Sequence, residues 1–532
     1  MKIQSVRLGH ATNSSSSHSI VIWKGDPQGD DLDSGWWGDS DWSWGWETFT
    51  AASPEAKAKY LAAQFVKAGR NAFPDDVLHA VVKDVTGIDV PFSFDKDEGW
   101  IQGIEIDHQS VFNSIPRSYG RNSPISTQFY REFIHAVMNR DDILILGGND
   151  NDGIHPLFRD EDGRDRWDND FKGNPDISEH PMHSIFRGYD STGYDRIARK
   201  DPKYGYWTIF SPRRGTKVRL DLNSDEDITR ASVPELVDMK ITNWCDKNCG
   251  FCYQDSSHSG EHAHIGSIHN LLHLLGSLEV LEVALGGGEP VGHPEFTQIL
   301  KTGYDMGLNM NFSTGTIDWL NSRDMVNAVE SFCSAFAYSV TSIKDMENLI
   351  RKANITERYD RKHTRLFQKA QINIHIPMGL TNAGELKVIL NRAYDLNIPV
   401  VLLGYKDQGR GLSYKPFINN YWDRDDHWEV YKEIALNAYS PFVSIDTALA
   451  QQWETRLAAV AVPESYDLTE GSFSCYIDAL ELTMAASSYD AGPAGAVDLN
   501  DEGAYRNNRD IRITSKEKIL AAFSKIQDIN LA

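Results

Sequence analysis

Leu236-Val237-Asp238-Met239-Lys240-Ile241-Thr242-Asn243-Trp244-Cys245-Asp246-Lys247-Asn248-Cys249-Gly250-Phe251-Cys252-Tyr253 joins a strand pattern to a loop rich in cysteine. Val237, Met239 and Ile241 alternate with Asp238, Lys240 and Thr242, the period of a strand with one apolar face. The same texture repeats downstream. Strands are predicted at 236–242, 280–286, 309–314, 335–341, 371–377 and 400–403, with helical periodicity between them, as in 268–275 and 386–394. Strands divided by helices imply parallel βα units with right-handed crossovers. A flat sheet covered on both faces would give near-continuous apolar strands. Here Ile372, Ile374 and Ile376 alternate with Gln371, Asn373 and His375, and Met310 and Phe312 with Asn309, Asn311 and Ser313. One face takes helices and the other is polar or small, as in a lumen that holds a polar ligand. The predicted fold class is α/β: a partial (β/α)6 parallel barrel over 235–406, with its site at the C-terminal strand ends. Residues 1–230 are read as a large N-terminal accessory domain. Residues 407–532 are read as a C-terminal extension or cap, opening with Tyr414, Phe417, Tyr421, Trp422, Trp428 and Tyr431.

The chain has 532 residues, with 53 Lys plus Arg against 76 Asp plus Glu, a net charge of −23. Hydrophobic residues make up 41%, enough for real cores, and the length predicts two or three domains. This composition excludes a disordered tail protein, a collagen and a coiled coil. Such a charge repels phosphate, so nucleic acid is not an expected partner. The one basic cluster, at 213–219, reads equally as a solvated turn entering a strand. No apolar run reaches the length of a membrane span, and the start of the chain has no signal-peptide core. A cytoplasmic protein with no membrane partner is predicted.

In residues 1–230 a polar run, 12–19, feeds the apolar run 20–23. Six of the fourteen tryptophans precede residue 47, in a segment rich in Gly and Asp, and are expected to pack on something. Ser53 is the predicted N-cap of a helix at 54–70, and a second helix is predicted at 127–139, before an apolar strand at 143–146. Asp150-Asn151-Asp152-Gly153 begins like a calcium loop, but no Glu closes the pattern. The acidic stretch from Asp150 to Asp170 is therefore read as a solvated loop.

Five cysteines in so long a chain are no disulfide framework. Three of them, Cys245, Cys249 and Cys252, fall within eight residues with the spacing C-x3-C-x2-C, and an aromatic, Phe251, precedes the last. Three thiolates on a short loop can wrap one face of an iron–sulfur cube and leave one iron open to another ligand. Structural zinc prefers four closed ligands. On spacing alone, His258, His262 or His264 could supply the fourth.

The loop, at the end of the first strand of a parallel βα domain, resembles that of the radical S-adenosylmethionine (radical SAM) superfamily. The second strand runs into Gly286-Gly287-Gly288-Glu289-Pro290, which resembles that family's glycine-glycine-glutamate motif. Glycines there let the backbone approach a ligand, and Glu289 with the exposed carbonyls is expected to receive the amine of the SAM methionine. A phosphate loop would need a following Lys-Ser/Thr, which is absent. The third strand ends in Asn311-Phe312-Ser313-Thr314-Gly315-Thr316, similar to the family's polar turn, with Thr314 where asparagine is usual. Alternation on the fourth strand places Ala335, Ala337, Ser339 and Thr341 inward, with Ser339 set to bind the ribose. His375 faces inward from the fifth strand, either as a SAM contact or as a hydrogen-bonded lumen residue. Leu403 places its backbone toward the adenine.

The resemblance, over residues 235–406, implies that Cys245, Cys249 and Cys252 hold a [4Fe–4S] cluster. It further implies that Phe251, Gly287, Gly288, Glu289, Ser313, Thr314, Ser339, His375 and Leu403 bind SAM. An electron from a ferredoxin or flavodoxin would cleave SAM to a 5′-deoxyadenosyl radical, which removes hydrogen from a substrate. The substrate is expected to be a peptide, a protein segment or a small molecule. The alternatives are modification of a nucleotide or nucleic acid, and a non-catalytic iron–sulfur protein that binds SAM. Only Cys333 and Cys475 remain, too few for an auxiliary cluster. Cys333, at the end of a helix, reads as a buried small hydrophobe. Cys475 lies in a strand pattern and has two readings: a buried apolar position, or a catalytic thiol on a strand that caps the barrel mouth and quenches the product radical.

Overall fold

The computed structural model describes residues 2–6, 16–23, 43–44, 49–69, 73–90, 92–94, 101–106, 117–119, 126–141, 143–149, 182–187, 196–212, 215–224, 226–355, 366–367, 369–418, 425–436, 443–459, 468–489, 492, 495–501 and 513–531. The chain forms two compact units. One is Met1–Lys200, Tyr206–Ser211 and Thr216–Asp227; the other is Asp201–Gly205, Pro212–Gly215 and Ile228–Ala532.

The first unit packs three helices and two four-stranded antiparallel sheets. The predicted helices are present as Pro54–Gly69 and Thr127–Met138. Ser53 caps the former, accepting from Ala56 N–H at 3.1 Å, and Ser126 caps the latter. A third helix, Asp75–Thr86, ends on Gly87. Tyr60, Phe65, Phe129, Phe133 and Ile145 fill the core. Lys57 is buried and donates to Val137 O and Arg140 O at a helix C-terminus, where the dipole favours a cation. One sheet has the strand order Phe49–Ala51, Ile143–Asn149, Ser16–Trp23, Met182–Arg187, so the predicted polar run ends inside a strand. Of the early tryptophans, Trp44 is buried edge-on against Tyr60 at 5.7 Å. Residues 12–15, Trp36, Trp37, Trp42, Trp46, the acidic stretch 150–170, Arg213, Arg214, Tyr421 and Trp422 lie outside the described residues.

The second unit holds the predicted parallel strands: β1 (Leu236–Thr242), β2 (Glu282–Gly287), β3 (Asn309–Thr314), β4 (Cys333–Ser339), β5 (Gln371–Pro377) and β6 (Val400–Leu403). Between them run α1 (Ile265–Ser277), α2 (Phe296–Asp305), α3 (Arg323–Phe332), α4 (Ile343–Lys352) and α5 (Ala383–Asp395). The sheet is larger than six strands. β7 (Val443–Ile445), β8 (Ser474–Asp478), β9 (Thr483–Ala485) and β10 (Val497–Asp498) complete the order β7-β6-β5-β4-β3-β2-β1-β8-β9-β10. β7 to β8 are parallel and the last two are antiparallel. The residues after 407 thus extend the sheet beside β6 and beside β1, and the sheet stays open, a partial barrel.

Register settles the two faces. Asp238 pairs with Ala284, Ala284 with Asn311, Asn311 with Ala335 and Ala335 with Gln371; Ser339 pairs with His375. These share the polar lumen side. Val237, Met239, Ile241, Ile374 and Ile376 point the other way and are buried. β4 starts two residues before the predicted strand and stops at Ser339. Thr341 therefore leaves the lumen and hydrogen-bonds Asp345 in the first turn of α4.

Phe312 sits on the helix side, stacked on Phe336 at 5.6 Å and edge-on to Phe296 and Trp319. Phe312→Ala is expected to cost about 3–5 kcal/mol, a buried aromatic lost from a close-packed cluster. Its neighbour Ser313 faces the lumen, so Ser313→Ala should change stability by no more than about 0.5 kcal/mol. Urea unfolding followed by tryptophan fluorescence checks both, and equal losses would contradict the face assignment.

Candidate functional site

The three cysteines sit on the loop that leaves the C-terminal end of β1, and all three thiols are free and half-buried. The loop is tied from two directions. On one side, Asn243 N donates to Glu261 O, Ser257 N to Asn243 O and Cys245 N to Ser257 O, at 2.8–3.1 Å. On the other, the turn after β2 lies directly on it: Gly288 N donates to Thr242 O and Glu289 N to Trp244 O, both at 2.7 Å. This contact is why the turn is glycine. A Cβ on Gly287 would sit 2.3 Å from Thr242 O, and one on Gly288 2.1 Å from Trp244 O. Gly287 also has a φ of +111°, which L side chains rarely adopt. Gly287 and Gly288 thus let the turn lie directly on the cysteine loop. Gly286, partner of Lys240 on the lumen face, has nothing within 4 Å of its would-be Cβ and is the glycine that borders free space.

Glu289 is only 2% exposed. Thr314 Oγ1 donates to its Oε1 at 2.7 Å and Gly315 N to its Oε2 at 2.8 Å. Burial pushes its carboxyl up to about 7, against those hydrogen bonds. Glu289 is thus a strut between the turns after β2 and β3. Thr314 is buried for the same reason and also donates to Thr316 O. It does not line the lumen; Ser313 does. Leu403 is half-buried at the end of β6, and its carbonyl accepts from Met378 N at 2.8 Å. Phe251 packs edge-on against Tyr414, ring centroids 5.9 Å apart.

Across the lumen lies a set of polar groups without partners. Asn311 Oδ1 and Asn373 Oδ1 are buried and unbonded among the described residues. Neither Ser339 nor the imidazole of its strand partner His375 has a side-chain hydrogen bond there. Burial, with help from Lys406, lowers the His375 pKa to about 4, which keeps the ring neutral at pH 7. Orphaned polar atoms beside small residues, Ala284, Gly286, Ala335 and Ala337, fit a polar ligand of some size. They are the observation on which SAM fits this lumen.

The lumen also has a charged side. Asp238 lies deep among protein atoms yet its side chain remains exposed, so it borders open lumen. Desolvation raises its carboxyl to about 6, opposed by Lys406 and aided by Glu282. Lys406 stands over the rings of Tyr253 and Tyr489, at 5.0 and 5.2 Å, and 3.7 Å from Asp446. Burial works against its charge, but Tyr253, Asp446, Asp238 and Glu470 outweigh it and hold the ammonium above its usual pKa. Glu470 accepts from Tyr489 Oη at 2.9 Å and is itself raised to about 7 by burial. A cavity of about 300 Å³ opens beside Lys406, lined also by Tyr405, Gln451, Gln452 and Tyr489. Lys240 and Asp478 form a separate ion pair at 2.9 Å. Of these groups only Asp238 and Lys240 were visible in sequence, as charges at the inward positions of a strand.

The histidines near the loop have structural duties. His262 Nδ1 meets Thr242 Oγ1 at 2.8 Å, and His264 Nδ1 accepts from Gly266 N as the cap of α1. Among the described residues no three His, Cys, Asp or Glu side chains converge on one metal ion. Thiolates on a cube each bind a different iron and need not converge. Burial raises the Cys245 thiol, which the N–H groups of Lys247 and Asn248 oppose. Burial and the other two sulfurs raise Cys249, which Lys247 and Arg410 oppose.

The catalytic reading of Cys475 is overturned. β8 is no cap: it lies in the sheet beside β1, and Cys475 pairs with Val237, near the strand start opposite the cysteine loop. It shares the helix-facing side with Val237, is 1% exposed, and burial drives its thiol strongly up. Tyr476 and Asp478 are the β8 residues that face inward. Cys333 is likewise buried.

Residues 239–391 match the family model of the Radical SAM superfamily. The family's cofactors, a [4Fe–4S] cluster and SAM, are the cofactors of this domain. No curated protein sequence matches the chain. Among solved structures, Streptococcus suis SuiB bound to precursor peptide SuiA is 13% identical, with a TM-score of 0.37, over 50% of this chain and 62% of that one. The match thus spans less than two thirds of SuiB. BtrN in complex with AdoMet and 2-DOIA is 9% identical (TM-score 0.27, 56% and 87% covered). anSMEcpe with AdoMet and a Cp18Cys peptide is 14% identical (0.35, 56% and 83%).

Gly288→Ala is expected to displace the cysteine loop and cut iron incorporation several-fold. Gly286→Ala, with open space before it, should leave iron unchanged and weaken SAM binding; iron analysis and equilibrium dialysis check the pair. Glu289 gives a pH signature in the apo protein. It holds its proton more tightly when folded, about 7 against 4.5, so its stabilising contribution is full below pH 4.5 and lost as pH rises through 7. The loss amounts to about 3 kcal/mol. Urea titrations from pH 4.5 to 7.5 should show a shallower slope in Glu289→Gln than in the wild type, the remainder coming from Asp238 and Glu470, which titrate in the same window in both.

Proposed function

From the radical SAM domain at residues 239–391 we propose that this chain is an enzyme that cleaves SAM reductively and removes a hydrogen atom from a peptide, a protein segment or a small molecule. One juxtaposition supports this most. The three-cysteine loop and the glycine turn stitched to it stand at the C-terminal edge of a lumen whose buried amide oxygens, on Asn311 and Asn373, have no partners among the described residues. Cys245, Cys249 and Cys252 would hold the cluster. When bound, the cluster and SAM supply a 5′-deoxyadenosyl radical after one electron arrives from a ferredoxin or flavodoxin. Gly286, Ser313, Ser339, Asn373 and His375 would bind and orient SAM along β2 to β5. His375, neutral at pH 7, can donate one hydrogen bond and accept another.

The opposite side of the lumen, between β1 and the segment after β6, is left to the substrate. Asp238 and Glu470 put more negative charge there than Lys406 balances, which favours a substrate carrying a cationic group and opposes a phosphate. Nucleic acid is disfavoured on the same ground. The reading as a non-catalytic SAM-binding protein is distinguished by chemistry.

Anaerobically reconstituted protein should bind about four irons per chain, and Ala at any of the three cysteines should abolish the cluster absorbance. Reduced with dithionite in the presence of SAM, it should release 5′-deoxyadenosine, read by chromatography. Zinc in place of iron would overturn the cluster assignment. SAM bound but uncleaved would favour the non-catalytic reading.

A further inference from the structure

The segment after β6 turns back and lies on the cysteine loop. Arg410, at the start of the helix Arg410–Ile418, makes four contacts to residues 249–256. Its backbone N–H donates to Cys252 O at 3.1 Å, and Nε donates to Cys249 O at 3.0 Å. Nη2 donates to Ser256 O at 2.6 Å, and Nη1 to Asp255 Oδ1 at 2.7 Å. Three of the four acceptors are main-chain carbonyls, and the guanidinium takes two of them, Cys249 O and Ser256 O, together with the Asp255 carboxylate. A planar guanidinium satisfies such a set, while an ammonium, one point donor on a flexible stem, cannot. The approach is close enough to require glycine next door: a Cβ on Gly411 would fall 2.5 Å from Lys406 O and 3.2 Å from Phe251 O.

The loop needs such a brace. Asn248 and Asp255 both adopt left-handed backbone conformations, at φ of 47° and 53°, which Asn and Asp reach more readily than other side chains but which still cost more than a right-handed turn. Asp255 is the residue whose carboxylate Arg410 holds. The chain as a whole is acidic, with a net charge of −23, and Lys247 lies within the loop between Cys245 and Cys249.

We propose that Arg410 is the positioning residue of the cysteine loop: it fixes residues 249–256 in the conformation that receives the cluster, and its permanent charge raises the cluster's reduction potential. The inference rests on the radical SAM reading of the site. The reduced cluster carries one more negative charge than the oxidised one, so a fixed cation beside it favours uptake of the electron that a flavodoxin-class donor or dithionite supplies. Asp255 partly cancels that cation, so its removal must act in the opposite sense.

The test uses the full chain and the variants Arg410→Gln, Arg410→Lys and Asp255→Asn, with folding checked by far-UV circular dichroism. In apo protein, amide hydrogen exchange of residues 249–256 should be at least tenfold faster in Arg410→Gln and in Arg410→Lys, and unchanged in β3 to β5. In reconstituted protein, a redox titration followed by electron paramagnetic resonance should move the midpoint down in Arg410→Gln and up in Asp255→Asn. Arg410→Lys should stay near the wild-type potential, since it keeps the charge and loses the hydrogen bonds. Unchanged exchange in Arg410→Gln would overturn the positioning role. A potential that does not move, or moves the same way in Arg410→Gln and Asp255→Asn, would overturn the charge role. Wild-type protein that takes up no iron would instead defeat the radical SAM reading, while the apo exchange measurement still decides whether Arg410 fixes the loop.

Discussion

Two backbone hydrogen bonds, from Gly288 to Thr242 and from Glu289 to Trp244, seat the turn after β2 on the start of the cysteine loop at the mouth of the barrel. They join the end of one strand to the turn after its neighbour at 2.7 Å, a distance that leaves no room for a side chain. Main-chain contact of this kind is stiffer than side-chain packing, because no rotamer can absorb a shift. The β2 turn then passes the constraint on. Glu289 grips Thr314 and Gly315, so the ends of β1, β2 and β3 form one rigid rim. A loop that must present three sulfurs at fixed spacing gains from such a rim, since the alternative is to order it only when the ligand arrives.

The two faces of the sheet obey opposite rules. The helix-facing side of β3 and β4 is a packed aromatic cluster, Phe296, Phe312, Trp319, Phe336 and Phe367, with ring centroids 5–6 Å apart. That side supplies stability. The lumen side keeps polar atoms unpaired and acids protonated above their ordinary range, each of which costs free energy in the empty fold. A sheet that tolerates this on one face only has reserved that face for a ligand, and the aromatic cluster offsets the cost.

How much of this was legible in the sequence follows from how local each feature is. Alternation of Ile372, Ile374 and Ile376 with Gln371, Asn373 and His375 is local, and it gave strand, face and lumen correctly. The cysteine spacing and the glycine run are local as well, and both fall where the strands predicted them. β8 was recognisable as a strand around Cys475, but its place beside β1 is a pairing across more than 230 positions, and periodicity carries no partner information. The thiol was therefore put at the mouth when it belongs to the helix side. The capture of Glu289 by Thr314 was not legible, because it depends on a turn 25 residues away. The substitution of Thr for the family's usual asparagine at 314 was visible; its meaning, a hydroxyl that donates to Glu289, was not. Arg410 is one of 53 basic residues and gave no signal beyond the two glycines that flank it.

Charge connects the parts. The chain is strongly acidic, and the cysteine loop asks for three further anions in a half-buried place. Desolvation alone would keep the thiols protonated, as the upward shifts of Cys245 and Cys249 show. The counterweights are local: N–H groups of the loop itself for Cys245, and the charges of Lys247 and Arg410 for Cys249. Long-range attraction from elsewhere cannot substitute, because surface charges more than about 10 Å away are screened by salt. A cluster site in an acidic protein therefore has to bring its own cations within the loop or onto it. Lys247 meets the first requirement between two of the cysteines, and Arg410, arriving from the far edge of the six-stranded barrel, meets the second. That places the sixth strand's following segment under the same constraint as the first strand's loop, and it accounts for a C-terminal segment that folds back onto the site instead of leaving it.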